Sequence, residues 1–164
     1  AGAAARRALG ELREQIDAAA DAVREVAHGL SPRILSEQGL GPALEELTAG
    51  LPVETDVSWE GRTGSGAPSP SDEASEDLYL IASEAITNAM KHSGCSRIEV
   101  DVARQDDVVQ LTVRDDGAGG AAPTGRGILS MAARARRLGG TFELVSPDGG
   151  PTTVMVRIPS GGPR

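Results

Sequence analysis

The stretch 78–92, LYLIASEAITNAMKH, carries four side chains whose types and spacing suit chemistry on a phosphate. Glu84 and Asn88 are four residues apart, so on a helix they share a face one turn from each other. Lys91, three residues beyond Asn88, adds a cation on the same side, and His92 follows it. A side-chain amide oxygen can take one position on an octahedral Mg²⁺, which otherwise keeps water and phosphate oxygens. A carboxylate, an amide and a cation on an otherwise apolar helix exceed what packing requires, so this face is a candidate for a metal–nucleotide pair.

Two other stretches complement it. Asp115-Asp116-Gly117-Ala118-Gly119-Gly120 follows a strand pattern, and Gly125-Arg126-Gly127-Ile128 opens a helix pattern. A strand-end carboxylate can accept a hydrogen bond from an exocyclic amine such as that of adenine. Glycines let the backbone approach a ligand closely, and a helix start beside glycine offers N–H donors to phosphate oxygens. Each piece alone is weak, since a lone DxGxG is most often a turn.

The elements that must position these residues follow from periodicity. The central helix spans about 72–92, with Ser71 or Asp72 as cap, Leu78, Ile81, Ala82, Ala85, Ile86 and Ala89 as core stripe, and Ser93-Gly94 as terminator. Residues 97–103 and 108–115 alternate apolar and polar across a turn at 105–107, which predicts a hairpin. After the glycine-rich loop, ILSMAARARRLGG predicts a helix with Ile128, Leu129, Ala132, Ala135 and Leu138 inward and Gly139-Gly140 at its end. Residues 141–146 and 152–159 predict a second hairpin across PDGGP. Upstream, 40–50 reads as a short helix with Leu40, Ala43, Leu44 and Leu47 inward, 53–59 as a strand, and 60–72 as a Gly/Ser/Pro-rich loop. Residues 5–30 form a longer helical pattern in which Leu9, Leu12, Ile16, Ala19, Val23, Val26 and Leu30 recur at alternating steps of three and four, the seam of a helix that pairs with other helices. His28, in its last turn, reads as a capping or surface residue.

This order predicts an α+β fold, a two-layer sandwich with helices on one face of a mixed, mostly antiparallel sheet. The hairpins exclude a doubly wound nucleotide fold, and GxxxxGK[ST] is absent, which excludes a P-loop.

Bulk properties narrow the classes further. The 164 residues suit one domain with a core, and with Trp59, Tyr79 and Phe142 as the three aromatics that core must be built from Val, Leu, Ile and Ala. The net charge is −8 and no basic stripe is visible, so no nucleic-acid partner is expected. The single cysteine, Cys95, excludes an internal disulfide and, with two histidines far apart, a Cys/His zinc site. No apolar run reaches the length of a membrane span and the N-terminus is not a signal peptide. A soluble, cytoplasmic piece without membrane contact is expected, with any membrane anchor lying outside it.

The ordered motifs NAxKH, DDGAGG, GRGI…M…R…LGG and a last strand ending in IP closely resemble the ATP-binding domain of bacterial two-component sensor histidine kinases, of the GHKL ATPase type. The resemblance is greatest to the nitrate-sensor and desaturase-sensor subfamily and covers 72–159. VREVAHGLSPRIL…GLGPALEEL is similar to that subfamily's second dimerisation helix and linker. This implies a division into residues 1–36 of the dimerisation region, 37–50 as linker and short helix, 51–160 as catalytic domain and 161–164 as tail.

The resemblance also implies roles. Asn88 would hold Mg²⁺, with Glu84 acting directly or through water, and Lys91 and His92 would face phosphates. Asp115 would bind the adenine amino group, with Gly117 and Gly119 shaping the pocket floor. Residues 118–125 would form a short ATP lid that Gly125 and Gly127 close on the phosphates, with Arg126 as an added contact. Thr152 would lie near adenine, although Pro151 stands where the family has glycine. ATP, Mg²⁺, a response regulator and a homodimer through the N-terminal helix are the implied cofactors and partners. The family's phosphoacceptor histidine, with its acidic neighbour, sits on the first dimerisation helix, which has no match here. The expectation is a chain that binds ATP but does not autophosphorylate alone. Alternatives are an anti-sigma-factor serine kinase, a non-catalytic ATP-binding or dimerisation module, and an ATP-hydrolysing clamp of the topoisomerase type.

Overall fold

In the computed structural model the described residues are 33–59 and 72–160. The heptad pattern of 5–30, His28, the loop at 60–71 and the tail 161–164 lie outside them. The described residues belong to a compact unit beginning at Arg33.

Two short helices open this unit, α1 (Arg33–Gln38) and α2 (Leu40–Thr48). Strand β1 (Glu54–Trp59) follows, then α3 (Asp72–Asn88), which passes directly into a π turn at Ala89–Ser93. Strands β2 (Arg97–Gln105) and β3 (Val108–Asp115) form the first hairpin, closed by a tight turn in which Asp106 has φ 53°. Helix α4 (Arg126–Arg137) and the hairpin β4 (Thr141–Val145) and β5 (Thr152–Pro159) complete the order.

The sheet runs β1-β2-β3-β5-β4, with β1 parallel to β2 and the other neighbours antiparallel. Alternation along the strands divides its faces. Ile98, Val100, Val109, Leu111, Val113, Val154, Val156 and Ile158 are buried toward the helices. Their neighbours Glu99, Arg114 and Arg157 are exposed on the other face. Burying each side chain such as Leu111 contributes about 1.5–3 kcal/mol. Leu78, Ile81, Ala82, Ala85, Ile86 and Ala89 of α3 join the same core, as its stripe predicts.

Three features differ from the sequence reading. Helix α1 falls in a stretch that periodicity leaves without an element. In α4, Met131 is 1% exposed and Leu129 is 55% exposed, so Met131 takes the inward place expected of Leu129. Ile128, Met131, Ala132, Ala135 and Leu138 follow the steps of three and four that keep one helix face, and Leu129 stands one residue off that stripe. The α-helical ladder of α3 ends at Asn88 rather than at His92.

Candidate nucleotide-binding site

Glu84 and Asn88 lie half-buried on the last turns of α3. Lys91 and His92 are carried by the wider π turn and are exposed. Single π turns are frequent at functional sites. This one ends at Ser93, whose Oγ donates to the Ala89 carbonyl (2.8 Å) and accepts from the Cys95 N–H (3.2 Å). The Ser93 carbonyl accepts from the Ala118 N–H at 2.9 Å. A β-carbon at Gly117 would stand 2.3 Å from Ser93 Cβ, so glycine there lets the DDGAGG loop lie directly against the end of α3.

Asp115 and Asp116 are consecutive at the strand end and so face opposite ways. Asp115 is 5% exposed, and its Oδ1 accepts from the Gly117 N–H at 2.9 Å. In the ladder it sits opposite Ile98 on one side and Thr152 on the other. Asp116 turns outward and accepts from the Ser96 hydroxyl (2.6 Å), the Ser96 N–H (2.8 Å) and the Arg97 N–H (2.9 Å). The Ser96 hydroxyl bond, followed by the two backbone bonds, holds its carboxyl down to about 2 from 3.8. Asp116 thus brackets the start of β2 to the end of β3 and fixes the position from which Asp115 projects.

The loop from Ala118 is tied to the β4–β5 turn. Gly119, at φ 64°, faces the Pro147 and Gly150 carbonyls, and a β-carbon there would come within 2.0 Å of the former. The Gly149 N–H donates to the Ala118 carbonyl (2.7 Å) and the Gly120 N–H to the Ser146 carbonyl (3.3 Å). The Ala121 N–H donates to Ser146 Oγ (3.0 Å), which lies 2.9 Å from the Thr152 hydroxyl.

Helix α4 begins after Gly125, which supplies no side-chain cap, and the first ladder bond runs from the Leu129 N–H to the Gly125 carbonyl at 3.0 Å. The N–H groups of Arg126, Gly127 and Ile128 therefore have no partner within the helix. A β-carbon at Gly127 would stand 2.1 Å from Glu84 Oε1 and 3.3 Å from Asn88 Nδ2, so the helix start lies against the Glu84–Asn88 face. Arg126 is exposed at that start.

Two clusters result. One joins Glu84, Asn88 and Gly127; the other joins Asp115, Gly117, Gly119 and Thr152. Ser93 links them through α3 and Gly117. Lys91, His92 and Arg126 remain on the solvent side. Among the described residues no group of three or more His, Cys, Asp or Glu is arranged to hold a metal. An amide beside a single carboxylate instead fits an ion that keeps most of its ligands from water and phosphate.

Sequence reasoning assigned no role at the site to Ser93, Asp116 or Ser146. Ser93 registers in the sequence as a helix stop, whereas the Ser146 hydroxyl becomes visible only through the register of β4 against β5.

A mixed five-stranded sheet covered on one face by helices, with the candidate site residues along α3, the start of α4, the end of β3 and the start of β5, is the architecture of the GHKL ATP-binding domain. The family model for histidine kinase-, DNA gyrase B- and HSP90-like ATPases matches residues 73–162, more than half of the chain, and the chain belongs to that family. It is 35% identical over 161 residues to the nitrate/nitrite sensor protein NarX of Escherichia coli K12, covering 92% of this chain and 26% of that protein. It is 28% identical over 158 residues to the sensor histidine kinase MctS of Rhizobium johnstonii, covering 92% of this chain and 34% of that protein. The chain thus spans about a quarter to a third of these relatives' length. The histidine kinase domain of the blue-light activated histidine kinase of Erythrobacter litoralis EL346 shares the fold, with a TM-score of 0.57 at 18% identity over 76% of this chain and 59% of that one. Among the described residues no helix is long and apolar enough to cross a membrane.

Proposed function

We propose that this chain is the ATP-binding kinase domain of a two-component sensor histidine kinase. The carrying observation is Asp115: a buried carboxylate at a strand end, with Oδ1 held by the Gly117 N–H and Thr152 opposite it. Its other oxygen is left to accept from an adenine amino group. Guanine presents a carbonyl at that position, which would set two acceptors against each other and leave a buried charge unpaired, at a cost of roughly 10- to 100-fold in affinity.

Gly117 and Gly119 form the pocket floor, and residues 118–125 form the lid over the nucleotide. The N–H groups of Arg126, Gly127 and Ile128, which have no partner within α4, receive phosphate oxygens, with Gly125 leading the chain into them. Asn88 would hold Mg²⁺, with Glu84 contributing through water. The ion supplies neutralisation of phosphate charge when bound. Lys91, His92 and Arg126 add positive charge from the solvent side. Phosphoryl transfer of this kind rests on positioning and charge neutralisation rather than on covalent chemistry by the domain.

The phosphate acceptor in this reading is a histidine on a helix that is not among the described residues, and the phosphoryl group passes on to an aspartate of a response regulator. The heptad pattern of 5–30 serves dimerisation, 51–160 is the catalytic domain with 37–50 as its linker, and the location is cytoplasmic.

Titration calorimetry with ATP and GTP, with and without Mg²⁺, tests this directly. ATP binding strengthened by Mg²⁺ and lost in Asp115→Ala is expected. Equal affinity for GTP, or unchanged ATP affinity in a folded Asp115→Ala variant, would sink the reading.

A further inference from the structure

We propose that Ser146 is a positioning residue of this site, whose hydroxyl fastens the root of the lid loop to the wall that faces adenine. The inference rests on the nucleotide reading above and adds to it a residue from the far hairpin. The lid loop is held at its root by that hairpin. Its first half takes three bonds from the β4–β5 turn: Gly149 N–H to the Ala118 carbonyl (2.7 Å), Gly120 N–H to the Ser146 carbonyl (3.3 Å) and Ala121 N–H to Ser146 Oγ (3.0 Å). Beyond Ala121 come Ala122, Pro123 and Thr124, all exposed. The loop then closes on itself through the Gly125 N–H to the Ala122 carbonyl (2.9 Å). Ser146 Oγ is thus the last anchor before the exposed span, and it sets where that span leaves the wall.

The same hydroxyl faces the base side. Ser146 Oγ lies 2.9 Å from Thr152 Oγ1, and Thr152 stands opposite Asp115 in the ladder. A serine hydroxyl has one proton and two acceptor sites. With one acceptor site taken by the Ala121 N–H, the proton is free to go to Thr152. That direction leaves the Thr152 proton for a ring nitrogen of the base, beside the amino group that Asp115 accepts. It also makes a chain from lid amide to Ser146 to Thr152 to base in which each bond polarises the next. Loss of the Ser146 hydroxyl therefore removes both the lid anchor and the orientation of Thr152.

The test uses the whole chain with Ser146→Ala, and with Ser146→Thr and Ser146→Val, two variants of the same shape that differ in the hydroxyl. Calorimetry with ATP and with adenosine is combined with amide exchange at Ala121. Ser146→Ala is expected to weaken ATP by about 2- to 10-fold, the effect of one or two neutral hydrogen bonds. The loss for adenosine is expected to be smaller, because the lid reaches the phosphates, and Ala121 should exchange faster. Ser146→Thr should restore both properties and Ser146→Val should not. Unchanged ATP affinity in Ser146→Ala, equal losses for ATP and adenosine, or equal behaviour of the Thr and Val variants overturns the proposal while the nucleotide reading stands. Absence of ATP binding by the parent chain overturns both.

Discussion

Helix α3 carries two carboxylates seven residues apart, Asp77 and Glu84, and both face α4. Asp77 is 1% exposed and lies against the C-terminal half of α4. It accepts from Arg134 Nη1 at 3.1 Å and from Arg137 Nε at 3.0 Å, and a second Arg137 nitrogen, Nη2, closes the fork. The Asp77 bond raises the Arg137 guanidinium above its ordinary value. Glu84 lies against the start of α4, beside Gly127, and takes no ion pair from the described residues. The two helices run antiparallel, so one carboxylate meets the basic end of α4 and the other its N–H end. The protein compensates the first charge itself, whereas the second, in the function proposed above, stands where a ligand's counter-charge would enter. The contrast separates a clamp that fixes α4 from the proposed site at its start.

Removing each carboxylate in turn is the strongest way to break this contrast. Asp77→Ala should lower unfolding free energy by about 2–3 kcal/mol in denaturant titration. Breaking a buried pair costs about 3–5 kcal/mol, and the arginines here are partly exposed, which lowers that figure. Glu84→Ala should change stability by less than about 1 kcal/mol while weakening Mg²⁺-dependent ATP binding. Similar stability losses in the two variants would erase the distinction.

A smaller effect tests the Glu84 side alone. At Gly127 a β-carbon would displace the end of the Glu84 side chain, which is flexible enough to swing away. Gly127→Ala should therefore keep or slightly raise the melting temperature, since alanine favours a helix by about 0.5–1 kcal/mol over glycine. It should still weaken ATP by roughly tenfold, because the carboxylate and the helix start no longer share their present positions. A variant that loses stability and keeps ATP affinity would show that this contact is packing.

The smallest effect concerns a third carboxylate. Asp116 is exposed yet accepts three hydrogen bonds, and its folded value of about 2 lies below the ordinary 3.8. A depressed carboxyl contributes stability above its unfolded value and loses that contribution as pH falls through the folded value. The Ser96 and Arg97 amides should therefore shift in an NMR titration with a midpoint near about pH 2 rather than near the ordinary 3.8. Asp116→Asn should abolish that shift, and its persistence would assign the titration to another group.

Much of this was legible in the chain. Period-2 alternation at 97–103 and 108–115 gave the hairpin and its two faces, because one face must be buried and the other solvated. Leu78, Ile81, Ala82, Ala85, Ile86 and Ala89 announced the buried side of α3, and DDGAGG marked a strand end with room for close approach. The site pairing of Asp115 with Thr152 was reachable only through the family resemblance, since β3 and β5 are joined by a long connection. Leu129 misled because hydrophobicity alone does not decide which side of a short helix is covered. The π turn at Ala89–Ser93 leaves no mark in the apolar pattern, which continues through Ala89.

By itself, the sequence determined the order of the elements from α2 onward, the two faces of the sheet and the residue types that could meet a nucleotide. All of these depend on local periodicity and on chemistry carried within a few residues. Tertiary structure alone decided which carboxylates are already neutralised. Asp77 and Arg137 are 60 residues apart in the chain, and Glu84 and Gly127 are brought together by the same helix packing. Ser146 reaches Ala121 across 25 residues through a register that forms only when β5 pairs with both β3 and β4. Such contacts depend on which surfaces become buried together, so no short window of residues encodes them.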